Sequence, residues 1–63
     1  YKLTKREREV LTHMLKDEKN AIIASELIIS RRTVETHRKN IFLKLGAKTN
    51  IGLAQIALKY NLF

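Results

Sequence analysis

The sequence predicts an all-α fold, a four-helix bundle with a helix-turn-helix at its centre. Three observations carry that prediction. Apolar residues recur at spacings of three and four, and no stretch alternates as a half-buried strand would; Ile28-Ile29 is too short. The chain has no proline and only two glycines, Gly46 and Gly52, so little interrupts a helix. Hydroxyl residues stand just ahead of the periodic segments, where helix N-caps are needed.

Helix one follows Thr4. Thr4-Lys5-Arg6-Glu7 fits a capping box, in which Thr4 and Glu7 satisfy each other's free backbone N–H groups. Val10, Leu11, Met14 and Leu15 then share a face. Asp17 to Asn20 breaks the pattern and reads as a loop. Helix two is short, about Asn20 to Leu27, with Ile23, Ala24 and Leu27 inward, and Ile28-Ile29 reads as a tight apolar connection. Ser30 caps helix three, in which Val34, Ile41 and Leu45 form the buried stripe and Gly46 is the left-handed stop. Arg31 to Leu45 spans about 22 Å. Lys48-Thr49-Asn50 supplies the next turn and cap, helix four runs from about Asn50 to Tyr60, and Asn61 is its stop. A short helix, a connection of about three residues and a longer basic helix describe a helix-turn-helix, whose second helix would be the reading element.

Length and composition narrow the function. Sixty-three residues make one small domain, 1–63, which buries only about 60% of its unfolded surface. Without cysteine there is no disulfide or thiolate-metal brace, and His13 and His37 have no partner at a metal-ligand spacing. No cofactor or metal is expected. The apolar runs are too short to span a bilayer and no secretory signal opens the sequence, so a membrane partner is not expected. The sequence opens on Tyr1 rather than Met, and we expect a fragment of a longer protein. Nothing supports an enzyme: Glu7 and Glu9 point to different helix faces, and Ser30 is a cap with no base nearby.

The charge is one-sided. Of the net +7, residues 1–30 carry six basic and five acidic side chains, +1, and residues 31–63 carry seven basic and one acidic, +6. Such a concentration points to a polyanion, and nucleic acid fits best. With Val34 at zero on a helical wheel, Glu35, Lys39, Arg32 and Thr36 fall at about 100°, 140°, 160° and 200°, opposite the core stripe. Arg31 and Arg38 flank them. Cations at the flanks can reach phosphates and the central side chains can reach base edges. A plain solvated face would also hold these charges, but would not confine them to the first half of one capped helix. His37, at the edge of the stripe, reads as a partly buried structural residue, and His13 as an exposed one. Lys19, Arg31, Arg32, Arg38 and Lys48 are the candidate phosphate contacts, with Thr33 and the start of helix two at Asn20 as neutral donors. Glu35, Thr36 and Lys39 are the candidate base readers. Helix four is apolar nearly all round. Leu53, Ile56, Ala57 and Tyr60 cover one side, while Ile51, Ala54, Gln55 and Leu58 mark another, expected to be a dimer seam.

The ordered series Leu3-Thr4, Arg6 to Leu11, Asn20, Ile23-Ala24, Leu27, Ile29-Ser30, Thr33-Val34, His37, Asn40-Ile41, Lys44-Leu45-Gly46, Leu53, Ala57 and Leu62 resembles the LuxR-type (GerE/FixJ-like) DNA-binding domain of bacterial transcription regulators. The match covers nearly the whole chain. It implies a cytoplasmic, nucleoid-associated regulator, often with a phospho-receiver or ligand domain ahead of this one, as in a two-component system. It further implies base contact at Glu35, Thr36 and Lys39, backbone contact at Thr33 and the basic flanks, and pairing through helix four. Double-stranded DNA with a near-palindromic operator is then the expected partner, with RNA polymerase as a further candidate. The chain departs from the family pattern at Asp17 for glycine, Lys19 for a small hydroxyl residue, Ala21 and Ile22 for polar residues, Asn50 for arginine and Gly52 for an acid. Two other readings compete. A promoter-contacting sigma-factor region shares the first helix and the helix-turn-helix but ends near the recognition helix. A helical protein-interaction module would use Leu43, Ile51 and Leu58.

Overall fold

A computed structural model describes residues 2–63; Tyr1 lies outside the described residues. Four helices follow in order: α1 (Lys5–Leu15), α2 (Asn20–Leu27), α3 (Arg31–Leu45) and α4 (Asn50–Tyr60). Among the described residues there is no strand. The reason is local. The Thr4 N–H donates to Glu7 Oε1 at 2.9 Å and the Glu7 N–H donates to Thr4 Oγ1 at 3.1 Å, so the capping box is complete. Ser30 Oγ accepts from the Thr33 N–H at 3.1 Å, and Thr49 Oγ1 from the Gly52 N–H at 3.0 Å. α2 alone starts without a side-chain cap, at Lys19.

α3 is the hub, packed against α1, α2 and α4. Its Val34, Ile41 and Leu45 meet Val10 and Leu11 of α1, Ile23 and Ala24 of α2, and Leu53 and Ala57 of α4 in one buried cluster. Leu3, Leu27, Ile29 and Leu62 pack around it. The molecule measures 28 × 20 × 18 Å, so a single cluster must hold all four helices.

Each helix stops where a residue turns left-handed. Gly46 does so at φ 68, as glycine does without strain. Asp17 (φ 59) and Asn61 (φ 52) do so as polar residues that tolerate it. The fourth case differs from the sequence expectation. Ile28-Ile29 is not a uniformly packed connection: Ile29 packs on the core, but Ile28 is left-handed at φ 56 and 90% exposed. The Ile29 N–H closes the turn onto the Ala24 carbonyl at 3.0 Å. A β-branched residue is costly in this conformation, and here its side chain gains little burial in return. Ile28→Gly should therefore stabilise the domain by about 1 kcal/mol, after the extra freedom of the unfolded chain is allowed for. Urea unfolding monitored by circular dichroism would check it; an unchanged midpoint would show that the turn bears no strain.

Gly52 also finds a specific place. It is the third residue of α4, in the first turn, and a Cβ there would lie 3.3 Å from Thr49 Oγ1. Thr49-Asn50-Ile51-Gly52 is thus a capping box lacking its acidic half.

Candidate nucleic-acid interface

The helix-turn-helix is α2, the turn Ile28–Ser30 and α3. Its outward face follows from the core stripe. With Val34 and Ile41 fully buried, α3 can rotate neither way without exposing them, so Arg32, Glu35, Thr36 and Lys39 face solvent, and all are exposed. Arg31 and Thr33 are exposed as well, while Arg38 is half-buried at the flank. Two hydroxyls are already engaged. Thr36 Oγ1 donates to the Arg32 carbonyl at 3.1 Å, and Thr33 Oγ1 lies 2.9 Å from Ser30 Oγ. Lys19 is exposed at the start of α2, beside half-buried Asn20, and Lys48 is exposed in the turn before α4. On α4, Ile51, Gln55 and Leu58 are exposed and Ala54 is half-buried.

Three of the six acids are committed elsewhere. Glu7 holds Lys44, Glu9 lies 3.7 Å from Arg6, and Glu18 holds His13. Among the described residues, none of Lys19, Arg31, Arg32, Arg38, Lys39 or Lys48 has an acidic partner within ion-pair distance. Their charge is left for an external anion. No group of side chains able to hold a metal is found among the described residues, and no helix there is long and apolar enough to cross a membrane.

Two supports of this face were not anticipated. The first is Lys44, whose Nζ donates to Glu7 Oε1 at 2.6 Å across 37 residues of sequence. Burial raises the Glu7 carboxyl, but the hydrogen bond and charge of Lys44, with the two hydrogen bonds to Thr4, outweigh it and hold the group below its ordinary value. One carboxylate thus caps α1 and braces the far half of α3. The second is His13. It is not the exposed residue expected from the sequence: its side chain is mostly covered, and Nδ1 lies 3.0 Å from Glu18 Oε1. The Glu18 N–H also donates to the His13 carbonyl at 3.3 Å, closing the left-handed turn at Asp17 just ahead of Lys19. His37 is half-buried, as its wheel position requires. Tyr60 departs from the expected covered side of α4: it is 51% exposed, with the Lys59 ammonium 5.5 Å from its ring centre.

A helix-turn-helix inside a four-helix unit, with a basic outward face on the second helix of the motif, defines a DNA-binding domain of the transcription-regulator type. The family comparison makes it specific: residues 1–57 match the model of the bacterial regulatory proteins, luxR family, and the chain belongs to that family. Over 62 residues it is 44% identical to the transcriptional regulatory protein YhcZ of Bacillus subtilis (strain 168), covering 98% of this chain and 29% of that protein. It is 43% identical over 60 residues to the oxygen regulatory protein NreC of Staphylococcus aureus, covering 95% of this chain and 28% of that protein. The crystal structure of the response regulator ChrA, from a heme-sensing two-component system, superposes with a TM-score of 0.90 at 32% identity, over 100% of this chain and 31% of that one. The chain therefore spans less than a third of the length of these relatives. The fourth helix, complete and packed on the core, belongs to the same unit.

Proposed function

We propose that this chain is the DNA-binding output domain of a cytoplasmic bacterial response regulator, and that the first half of α3 enters the major groove of a near-palindromic operator. The observation that carries this reading is the set of acid-free cations on and beside the outward face of α3. Arg31, Arg32, Arg38, Lys19 and Lys48 hold phosphates, and Glu35, Thr36 and Lys39 meet base edges. Glu35 is exposed and is the only acid of the basic half. It repels phosphate, so its place on this face is useful only against a donor such as the cytosine amino group. Glu35→Ala should relax the choice at one base pair without weakening non-specific binding. Lys39→Ala should cost about 1–3 kcal/mol on the preferred site. Selection from random duplexes tests both, and an identical consensus for wild type and Glu35→Ala would remove Glu35 from the reading set.

On DNA the domain pairs through α4. Ile51 and Leu58 are 75% and 66% exposed and seven residues apart, so they share a face, with Ala54 and Gln55 between them. A groove of about 200 Å³ lined by Met14, Leu15, Leu53 and Ala54 opens beside Ile51 and can seat a partner side chain. Two-fold pairing would set the two recognition helices about 34–36 Å apart, one turn of DNA. Leu58→Arg should keep the fold and binding to a single half-site but reduce cooperativity on two half-sites. Undiminished cooperativity in both Leu58→Arg and Ile51→Lys would move the seam off α4. RNA polymerase is the further partner this role implies.

A further inference from the structure

Leu43 is 70% exposed, and neither the phosphate contacts nor the α4 strip accounts for it. It follows Arg32, Thr36 and Lys39 at steps of four, three and four residues, so the four side chains form one stripe opposite Val34. The Thr36 hydroxyl donates its proton to the Arg32 carbonyl at 3.1 Å, so toward a ligand Thr36 offers its methyl and an acceptor oxygen but no donor. The stripe thus runs cation, methyl, cation, isobutyl. Lys44 leans the other way, onto Glu7 at 2.6 Å, and this tie fixes the side to which the neighbouring Leu43 is presented.

We propose that Leu43 reads a thymine methyl, as the second of two apolar readers on α3, the first being the Thr36 methyl. In the major groove the thymine C5 methyl is the apolar feature that distinguishes one base from the other three. Covering Leu43 with it removes two apolar surfaces from water together. Seven residues place Leu43 about 10.5 Å beyond Thr36 along the helix axis. At 3.4 Å of rise per base, and with the groove running obliquely, that is about two to three base steps. The preferred half-site then carries two thymines at that separation. This inference rests on the reading above, in which the first half of α3 lies in the groove, and extends it along the same outward stripe to Leu43 in the last turn of the helix.

The test uses the preferred site obtained by selection, with each thymine replaced in turn by deoxyuridine, which removes only the methyl. Wild type should lose about three- to fivefold in affinity at each of two thymines. Leu43→Ala should be insensitive to deoxyuridine at one of them and keep its sensitivity at the other, while Thr36→Ser should show the opposite pattern. Leu43 is exposed and alanine favours helix, so circular dichroism should show an intact fold. A deoxyuridine profile for Leu43→Ala identical to that of wild type would overturn the proposal and leave Leu43 to a protein partner. Failure of the DNA reading itself would look different: the wild type would select no site at all.

Discussion

Glu7→Ala should be the most damaging single polar substitution in this domain, lowering its stability by about 2–3 kcal/mol. The loss has two parts. The cap at the start of α1 contributes about 1 kcal/mol, and the buried end of a charge-assisted hydrogen bond contributes about 1.5–3 kcal/mol before discount. The second part is reduced because the Lys44 side chain is 40% exposed and water screens it. A domain of this size has a total stability of about 3–9 kcal/mol, so the loss is a large share of it. Glu7→Gln keeps an acceptor for the Thr4 N–H and should lose less than half as much. Acid should narrow the gap. The folded carboxyl lies below its ordinary value of 4.5, so its contribution is complete above that value and is lost as pH falls through the lower folded one. Urea unfolding of wild type and Glu7→Gln at neutral and acid pH checks this. A constant difference between them would mean that the Glu7 charge does not stabilise the fold.

Salt should weaken DNA binding steeply. Five or six neutralised phosphates at about −0.9 each give a slope of log K against log salt of roughly −4 to −6, or a loss of about 300- to 4000-fold between about 50 and 200 mM. The physical basis is the charge left without acids at Lys19, Arg31, Arg32, Arg38 and Lys48. Lys48→Ala should reduce the magnitude of the slope by about 0.9 and weaken all sequences alike. Arg6→Ala, which removes a cation already paired with Glu9, should leave the slope in place. A flat titration would reject the phosphate model.

Most of the architecture was legible because its signals are local. Capping at Thr4 and Ser30, the stripe of Val34, Ile41 and Leu45, and the stop at Gly46 are each decided within one or two helical turns. The outward position of Arg32, Glu35, Thr36 and Lys39 follows from that stripe by helical geometry alone. The resemblance to the LuxR-type domain was legible too, since it rests on residue types at fixed spacings. His13 was misread because its partner comes after a turn whose left-handed residue, Asp17, is not a glycine. Ile28 was misread because the backbone needs a left-handed residue there, whatever side chain occupies the position.

By itself the sequence determined the four helices, their caps, the buried stripe and the face of α3 that carries the charge, all through interactions between residues close in the chain. Tertiary structure decided what links distant residues. It brought Lys44 to Glu7 and so locked the far half of the recognition helix to α1. It paired Glu7, Glu9 and Glu18 with Lys44, Arg6 and His13, and it left Arg31, Arg32, Arg38 and Lys39 without an acid within ion-pair distance. It left Leu43, Ile51 and Leu58 uncovered. Periodicity shows which side of a helix is apolar; only the packing of the other three helices decides how much of that side is buried and which charges find each other.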